Sequence, residues 1–235
     1  MHYVISDIHG HYDKYLAMLA AIQFKSADTL YVLGDVIDRG PDGCKILYDM
    51  MGRSNVVPIL GNHELTAAIC LPWLLEEITD QSLKELDAVQ ITALSEWVTN
   101  GGSPTLRELK RLSQEERKEL LEYIREMDVY AEVEAGGRSF VLTHAGLDRF
   151  VPDKPLEAYE LVDFLFARPS LNTKFYSDKY LVYGHTPTRL LHQQAGEAPA
   201  DDIICRGMQI AIDCGCSYGK RLGCLCLDTL EVFYV

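Results

Sequence analysis

Six residues able to bind hard cations stand at abrupt turns of this chain. They are Asp7 and His9 in Ser6-Asp7-Ile8-His9-Gly10, Asp35 in Gly34-Asp35-Val36-Ile37-Asp38-Arg39-Gly40, Asn62 in Gly61-Asn62-His63-Glu64, His144 in Thr143-His144-Ala145-Gly146, and His185 in Gly184-His185-Thr186. Together they offer only oxygen and nitrogen, a set that suits Mn, Fe or Zn in five- or six-coordinate sites. Two such ions about 3.5 to 4 Å apart can share a carboxylate and a bridging water, lower that water's pKa and clamp a phosphoryl group for in-line attack. Asp35 is the natural bridge, because it lies between the two other N-terminal clusters. Taken singly, an Asp after a strand is a turn or cap residue; the joint occurrence of five Gly-flanked clusters points to one site.

The elements that must position these residues are legible around them. Short apolar runs, Tyr3 to Ile5, Leu30 to Leu33 and Val56 to Leu60, precede the first three clusters, so the polar residues fall just past strand ends, where open α/β sheets place their chemistry. Helices are expected over Tyr12 to Ile22, Asp42 to Met51 and from about Glu64, which makes a parallel βαβαβ pattern. In the first helix Tyr15, Leu16, Leu19 and Ile22 recur at helical spacing and read as core.

From Leu71 to Met127 the composition turns to charged, Leu-punctuated segments that read as helices, including Ser82 to Val98 and Ser113 to Met127. Ser113-Gln114-Glu115-Glu116 is a capping-box signal for the second. Beyond it come strands at Tyr130 to Glu134, Ser139 to Thr143, Leu181 to Tyr183, Met208 to Asp213, Leu222 to Leu227 and Glu231 to Val235. Gly136-Gly137 reads as a hairpin turn between the first two. A helix is expected over Leu156 to Ala167, and His192 to Asp202 reads as a mobile loop near the site.

The 235 residues and 48% hydrophobic content suit one large domain, residues 1–235, with 71–128 as a helical insertion or cap within it. A formal charge of −13 argues against sequence-independent nucleic-acid binding, which rests on Lys and Arg neutralising phosphates. It does not argue against a phosphorylated substrate, since two divalent cations override the sign of the surrounding surface. No apolar run approaches the roughly 20 residues of a membrane helix, and Met1 to Asp7 enters a strand without secretory features, so the expected location is the cytoplasm. The seven cysteines are odd in number, and we expect reduced thiols. Cys214, Cys216, Cys224 and Cys226 form two Cys-x-Cys pairs that could in principle bind zinc, though Leu222 to Leu227 reads as a buried strand in which cysteine is a small hydrophobe.

Asp-x-His-Gly, Gly-Asp-x-x-Asp-Arg-Gly, Gly-Asn-His-Glu, Thr-His-Ala-Gly and Gly-His-Thr, in this order, resemble the phosphoprotein phosphatase family of calcineurin-like metallophosphoesterases, with the bacterial and phage serine/threonine phosphatase branch the nearest likeness. The resemblance implies an α/β fold, a central β-sandwich flanked by helices (αββα). It implies that Asp7 and His9 hold one metal, Asp35 bridges, and Asn62, His144 and His185 hold the other. His63 matches the general acid that protonates the leaving alkoxide, and Asp38 the carboxylate that orients it. Arg39 matches the phosphate-binding arginine, and Arg168, in Phe164-Leu165-Phe166-Ala167-Arg168-Pro169, is the candidate for a second, although Phe166 stands where Trp is common. Substrate would then meet Arg39, Arg168, Asn62 and His63. Asn100-Gly101-Gly102 resembles a segment near the active-site mouth of that branch, Glu64 is expected to hydrogen-bond behind the ligands rather than ligate, and Tyr218 is a candidate pocket wall.

The resulting expectation is a metal-dependent phosphomonoesterase acting on phosphoserine or phosphothreonine, in a protein or a small phosphoester. The nucleophile would be a metal-bridging hydroxide, with two divalent ions, Mn²⁺ first and Fe or Zn as alternatives. The alternatives are a symmetrical dinucleoside tetraphosphate hydrolase, whose branch commonly carries a small residue at the position of Asp38, and a non-catalytic module that binds phosphorylated partners.

Overall fold

A computed structural model describes residues 1–75, 79, 81 and 84–235. Two five-stranded mixed sheets stack face to face. The first has the order β10-β9-β1-β2-β3, from β1 (His2–Ile5), β2 (Thr29–Leu33), β3 (Val56–Ile59), β9 (Gly223–Cys226) and β10 (Val232–Tyr234). The second has the order β4-β5-β6-β8-β7, from β4 (Tyr130–Ala135), β5 (Arg138–Thr143), β6 (Lys179–Tyr183), β7 (Ile204–Arg206) and β8 (Gln209–Ala211). This is the expected α/β sandwich flanked by helices.

Alternation along each strand explains the layers. Val4, Leu33, Ile59, Phe140, Leu142, Val182, Ile210 and Leu225 point inward from the two sheets and fill the space between them. Their neighbours Tyr3, Ile5, Leu30, Val32, Val141, Leu181, Cys224 and Cys226 point outward under the covering elements. Both faces are therefore covered, which is why the strands read as nearly continuous apolar runs rather than alternating ones.

The outer layer begins with α1 (Tyr12–Ala21), α2 (Gly43–Met51) and α3 (Asn62–Cys70). In α1 Tyr15, Leu19 and Ile22 are buried as expected, but Leu16 is 40% exposed and Met18 takes the inward position instead. Between α3 and Arg125 the elements described are all helical, joined by short turns: a 3₁₀ turn (Leu71–Leu74), α4 (Ala88–Trp97), a π-type turn (Val98–Gly102), α5 (Ser103–Leu109) and α6 (Gln114–Arg125). Ser82, where a helix to Val98 was expected to start, lies outside the described residues, and within them that helix is interrupted: Asp87 is extended and caps a fresh start at Ala88. For α6 the Ser113–Glu116 capping box is present.

The expected helix over Leu156 to Ala167 is broken. A 3₁₀ turn covers Leu156–Ala158, Tyr159 and Glu160 are extended, and α7 (Leu161–Leu165) restarts behind a Glu160–Asp163 capping box. The expected loop at His192 begins instead as the last turn of α8 (Thr188–Gln194). The residues beyond that turn are tied down, with Glu197 accepting from His192 Nδ1 at 2.8 Å and Arg206 Nη2 at 2.6 Å. Strand β7 lies in a stretch where no strand was expected.

Parallel pairing decides where the chemistry lands. β1, β2 and β3 run parallel, and so do β5, β6 and β8. The C-terminal ends of each set therefore open on one edge of its sheet. Asp7 and His9 follow β1, Asp35 follows β2, Asn62 and His63 follow β3, His144 follows β5 and His185 follows β6.

Candidate active site

The turns that carry these residues are tight enough to require unusual backbone. Asp7, His9, Asp35, Asp38, Arg39 and His185 all have φ between 47° and 69°. Non-glycine residues rarely hold that left-handed conformation, and such strain gathers where a site needs side chains aimed from a turn. The loops after β2 and β3 also touch: a Cβ on Gly34 would lie 2.4 Å from the Gly61 Cα, so glycine alone fits there.

Asp35 sits at the centre. Its Oδ2 is 3.5 Å from His9 Nε2 and 3.8 Å from His63 Nε2, and its Oδ1 is 3.5 Å from His144 Nε2. Two groups of convergent ligand atoms share it, His9–Asp35–His63 and Asp35–His144–His185. Asn62 Oδ1 completes the second, 2.9 Å from His144 Nε2. Asp7 stands beside them, its Oδ2 accepting from the His185 N–H at 2.9 Å and from Ser6 Oγ.

These side chains fit divalent cations by their protonation and their unmet needs. His9 Nδ1 donates to the Ile37 carbonyl at 2.9 Å and His144 Nδ1 to the Leu33 carbonyl at 2.7 Å, so the lone pairs lie on Nε2. His9 Nε2 is buried with no hydrogen-bond partner. Burial pushes the His9 imidazole down to about 3 despite Asp35, and burial together with His144 takes His185 to about 3. Burial also lowers His144. For Asp35, burial opposes ionisation, yet the surrounding imidazoles, His144 first, hold its carboxyl well below the usual range. Neutral imidazoles around one carboxylate are a cation-binding arrangement.

Behind this layer Glu64 is fully buried and organises the loop after β2. Its carboxylate accepts from the N–H groups of Asp35 (2.7 Å), Val36 (2.8 Å), Ile37 (3.1 Å) and Gly61 (3.2 Å). Burial and the nearby Asp35 push its carboxyl up to about 7, against the pull of those donors.

His63 faces the opening. Its Nδ1 bonds Asp38 Oδ2 at 2.6 Å, and its Nε2 is 3.1 Å from Arg39 Nη2 and 3.4 Å from Asn100 Nδ2. Burial would lower this imidazole, but Asp35 and the bond to Asp38 outweigh it and the net shift is upward. Arg39 and Arg168 line one pocket of about 370 Å³ with Asp35, Asn62, His63, His185, Asn100, Phe166 and Tyr218. Arg39 also donates to Ser217 Oγ at 3.1 Å and lies over the Tyr218 ring. Arg168 donates to Thr186 Oγ1 at 3.3 Å. The structure thus brings the residues singled out from the sequence to one region, though the convergent groups include His63 and leave Asp7 beside them rather than among them.

Other participants escaped the sequence reading. Asp213, just past β8, is buried; burial raises its carboxyl to about 7, and its charge in turn raises Asp7, whose own burial is the larger cause. Its signal was present in Ile212-Asp213-Cys214-Gly215, an acid after an apolar run and beside a glycine. Trp97 Nε1 and Thr105 Oγ1 donate to the two oxygens of Asp38 at 2.8 and 2.6 Å. No local pattern announces such long-range bonds. The four cysteines weighed as a zinc site are free and buried, and the groups above contain none of them.

Comparison with known proteins points the same way. The family model for calcineurin-like phosphoesterases matches residues 3–189. A symmetrical bis(5'-nucleosyl)-tetraphosphatase of Wigglesworthia glossinidia brevipalpis is 34% identical over 102 residues, 41% of this chain and 37% of the relative. One from Acidovorax sp. (strain JS42) is 30% identical over 147 residues, 62% of this chain and 43% of the relative. The match thus spans less than half the length of either relative. Among solved structures, one provisionally described as a diadenosine tetraphosphatase superposes with a TM-score of 0.68 at 17% identity, covering 100% of this chain and 92% of its own. A serine/threonine phosphatase from Saccharomyces cerevisiae gives 0.53 at 15% identity, covering 95% and 71%. At such identities the likeness concerns the fold.

Proposed function

Because this chain belongs to the calcineurin-like phosphoesterase family, we propose that it is a metal-dependent phosphoester hydrolase in which water attacks phosphorus and His63 protonates the departing oxygen. The observation that carries the reading is the placement of His63 between Asp38 and Arg39, with its Nε2 at the edge of the Asp35 ligand groups. Asp7, His9, Asp35, Asn62, His144 and His185 are the residues we assign to two divalent ions, Mn²⁺ first. When bound, the ions supply Lewis acidity to the phosphoryl oxygens and lower the pKa of a water.

The chain's own groups do the rest. Arg39 and Arg168 line the same pocket with forked donors, groups suited to phosphoryl oxygens. Asp38 holds the proton of His63 on Nδ1 or stabilises the imidazolium, so that Nε2 can serve the leaving group. The strained turns are held by bonds around them, such as those from the Asp35, Val36 and Ile37 N–H groups to Glu64.

For the substrate we infer a dinucleoside tetraphosphate, on the names carried by the curated relatives. The pocket is compatible: two arginines for a polyphosphate stand beside the exposed rings of Phe166 and Tyr218, flat faces on which a base can stack. This reverses the order expected from the sequence, in which Asp38 placed phosphoserine and phosphothreonine first. The phosphomonoester reading keeps second place on one observation, the 2.6 Å Asp38–His63 bond. A nucleoside diphosphate leaves as a stable anion and needs little acid help, whereas a serine or threonine alkoxide needs it greatly.

Side-by-side turnover of diadenosine tetraphosphate and a phosphothreonine peptide, with Mn²⁺ added, tests the choice. ADP release at the higher kcat/KM is expected. Phosphate release from the peptide alone would overturn the substrate, and no turnover of either would overturn the reaction class.

A further inference from the structure

We infer that Trp97 and Thr105 are positioning residues that fix the Asp38 carboxylate and, through it, the ring of His63. The helical segment around them would then be a working part of the active site rather than a cover over it. The inference rests on the phosphoester-hydrolase reading above, with His63 as the proton donor.

Asp38 has no exposed surface, and both its oxygens are held. Oδ2 accepts from Trp97 Nε1 at 2.8 Å as well as bonding His63 Nδ1 at 2.6 Å. Oδ1 accepts from Thr105 Oγ1 at 2.6 Å, and the same hydroxyl oxygen accepts from the Asp38 N–H at 3.0 Å. Rotating the carboxylate would break bonds to the indole, the hydroxyl and the imidazole together. Trp97 and Thr105 are themselves buried, so the lost bonds would not be replaced by water.

The backbone between them is shaped for this grip. Trp97 ends α4 and Thr105 lies in α5, with the Val98–Gly102 turn between. A Cβ on Gly102 would come within 2.5 Å of the Trp97 ring, and the Gly101 carbonyl accepts from the Arg39 N–H at 2.8 Å. The Asn100-Gly101-Gly102 turn therefore seats the indole, steadies the backbone of Arg39 and brings Asn100 to the pocket in one stroke. Packing alone would not require the indole N–H and a hydroxyl to converge on one carboxylate already bonded to the acid.

A general acid matters in proportion to how poor the leaving group is, which separates positioning from structural damage. Trp97→Phe and Thr105→Val are assayed with Mn²⁺ on phenyl phosphate, the poorer leaving group, and on p-nitrophenyl phosphate, the better. We expect kcat on phenyl phosphate to fall about tenfold or more, with KM unchanged and less than about a twofold change on the nitrophenyl ester. Thr105→Ser, which restores the hydroxyl, should return the phenyl phosphate rate. Equal losses on both esters, or none on either, would overturn the inference.

The contact is also read without turnover. The protein has two tryptophans, so Trp97→Phe assigns the Trp97 indole proton by NMR. In the unsubstituted chain it should exchange slowly with solvent and shift on Asp38→Asn; fast exchange with no shift would refute the grip. If the unsubstituted protein hydrolyses neither ester, the hydrolase reading is decided by diadenosine tetraphosphate and the phosphothreonine peptide, and the indole proton alone decides whether the grip exists.

Discussion

His144 Nε2 lies 2.9 Å from Asn62 Oδ1 and 3.2 Å from His185 Nδ1, while the proton of its ring is committed to the Leu33 carbonyl through Nδ1. The Nε2 lone pair therefore faces the carbonyl oxygen of Asn62 with no hydrogen between them. Under the proposed ligand assignment, a cation bound there would turn that repulsion into coordination.

Chelation should accordingly cost both stability and turnover. At a free ion concentration about 100 times the Kd, binding contributes about 2.7 kcal/mol, equivalent to roughly 5 to 10 °C in Tm for a chain of this size. Differential scanning fluorimetry with a chelator and then with excess Mn²⁺ measures it. Unchanged Tm and undiminished activity after exhaustive chelation would remove the ligand assignment.

His63→Asn removes the proposed proton donor while leaving Asp38 an amide partner. On a phosphomonoester with a poor leaving group kcat should fall about 10²- to 10⁴-fold. Diadenosine tetraphosphate should suffer much less, and a uniform loss on both substrates would argue against a proton-transfer role.

Arg168→Ala removes a forked cation from the pocket without touching the ligand groups. A hydrogen bond to a charged group contributes about 1.5 to 3 kcal/mol, so kcat/KM should drop roughly 10- to 100-fold. Steady-state kinetics check this, and unaltered kcat/KM would make Arg168 a bystander whose bond to Thr186 is only structural.

The Asp163 carboxylate has a pH signature of its own, away from the ligand groups. Its burial opposes ionisation, but Arg149, bonded at 2.6 Å, and the Glu160 N–H hold its carboxyl below the usual value. A carboxylate depressed in the folded state stabilises above the unfolded pKa of about 3.9, and that contribution fades as pH falls through the lower, folded value. Asp163→Asn should therefore be less stable than the parent at pH 7, with the gap closing in acid. Parallel denaturation curves at pH 7 and pH 3 would show it; a gap of constant size would contradict the linkage.

Sequence signals were surest where they were local. Strands β2 and β3 and the turns after them follow from apolar runs ended by glycine next to Asp or Asn, β1 from an apolar run ended by Ser6-Asp7, and the helical capping box at Ser113 from four consecutive residues. Such signals failed over Leu156 to Ala167, where apolar spacing allowed a helix but the Glu160 capping box ended one turn and began another. Leu16 misled for a related reason: spacing marks a face of α1, whereas the sheet beneath selected Met18.

By itself the sequence determined the candidate ligand types and the strand-end turns that hold them, because each is written in residues only a few positions apart; the pairing of His63 with Asp38, 25 residues away, came from the family resemblance. The tertiary structure decided which of these meet. Parallel order brought the ends of β1, β2 and β3 to one edge, with His144 and His185 delivered from the second sheet. Contacts 59 and 67 residues apart in the chain closed Trp97 and Thr105 onto Asp38. Such contacts carry no periodicity or spacing, since they exist only once the covering helices have packed and excluded water from the carboxylate.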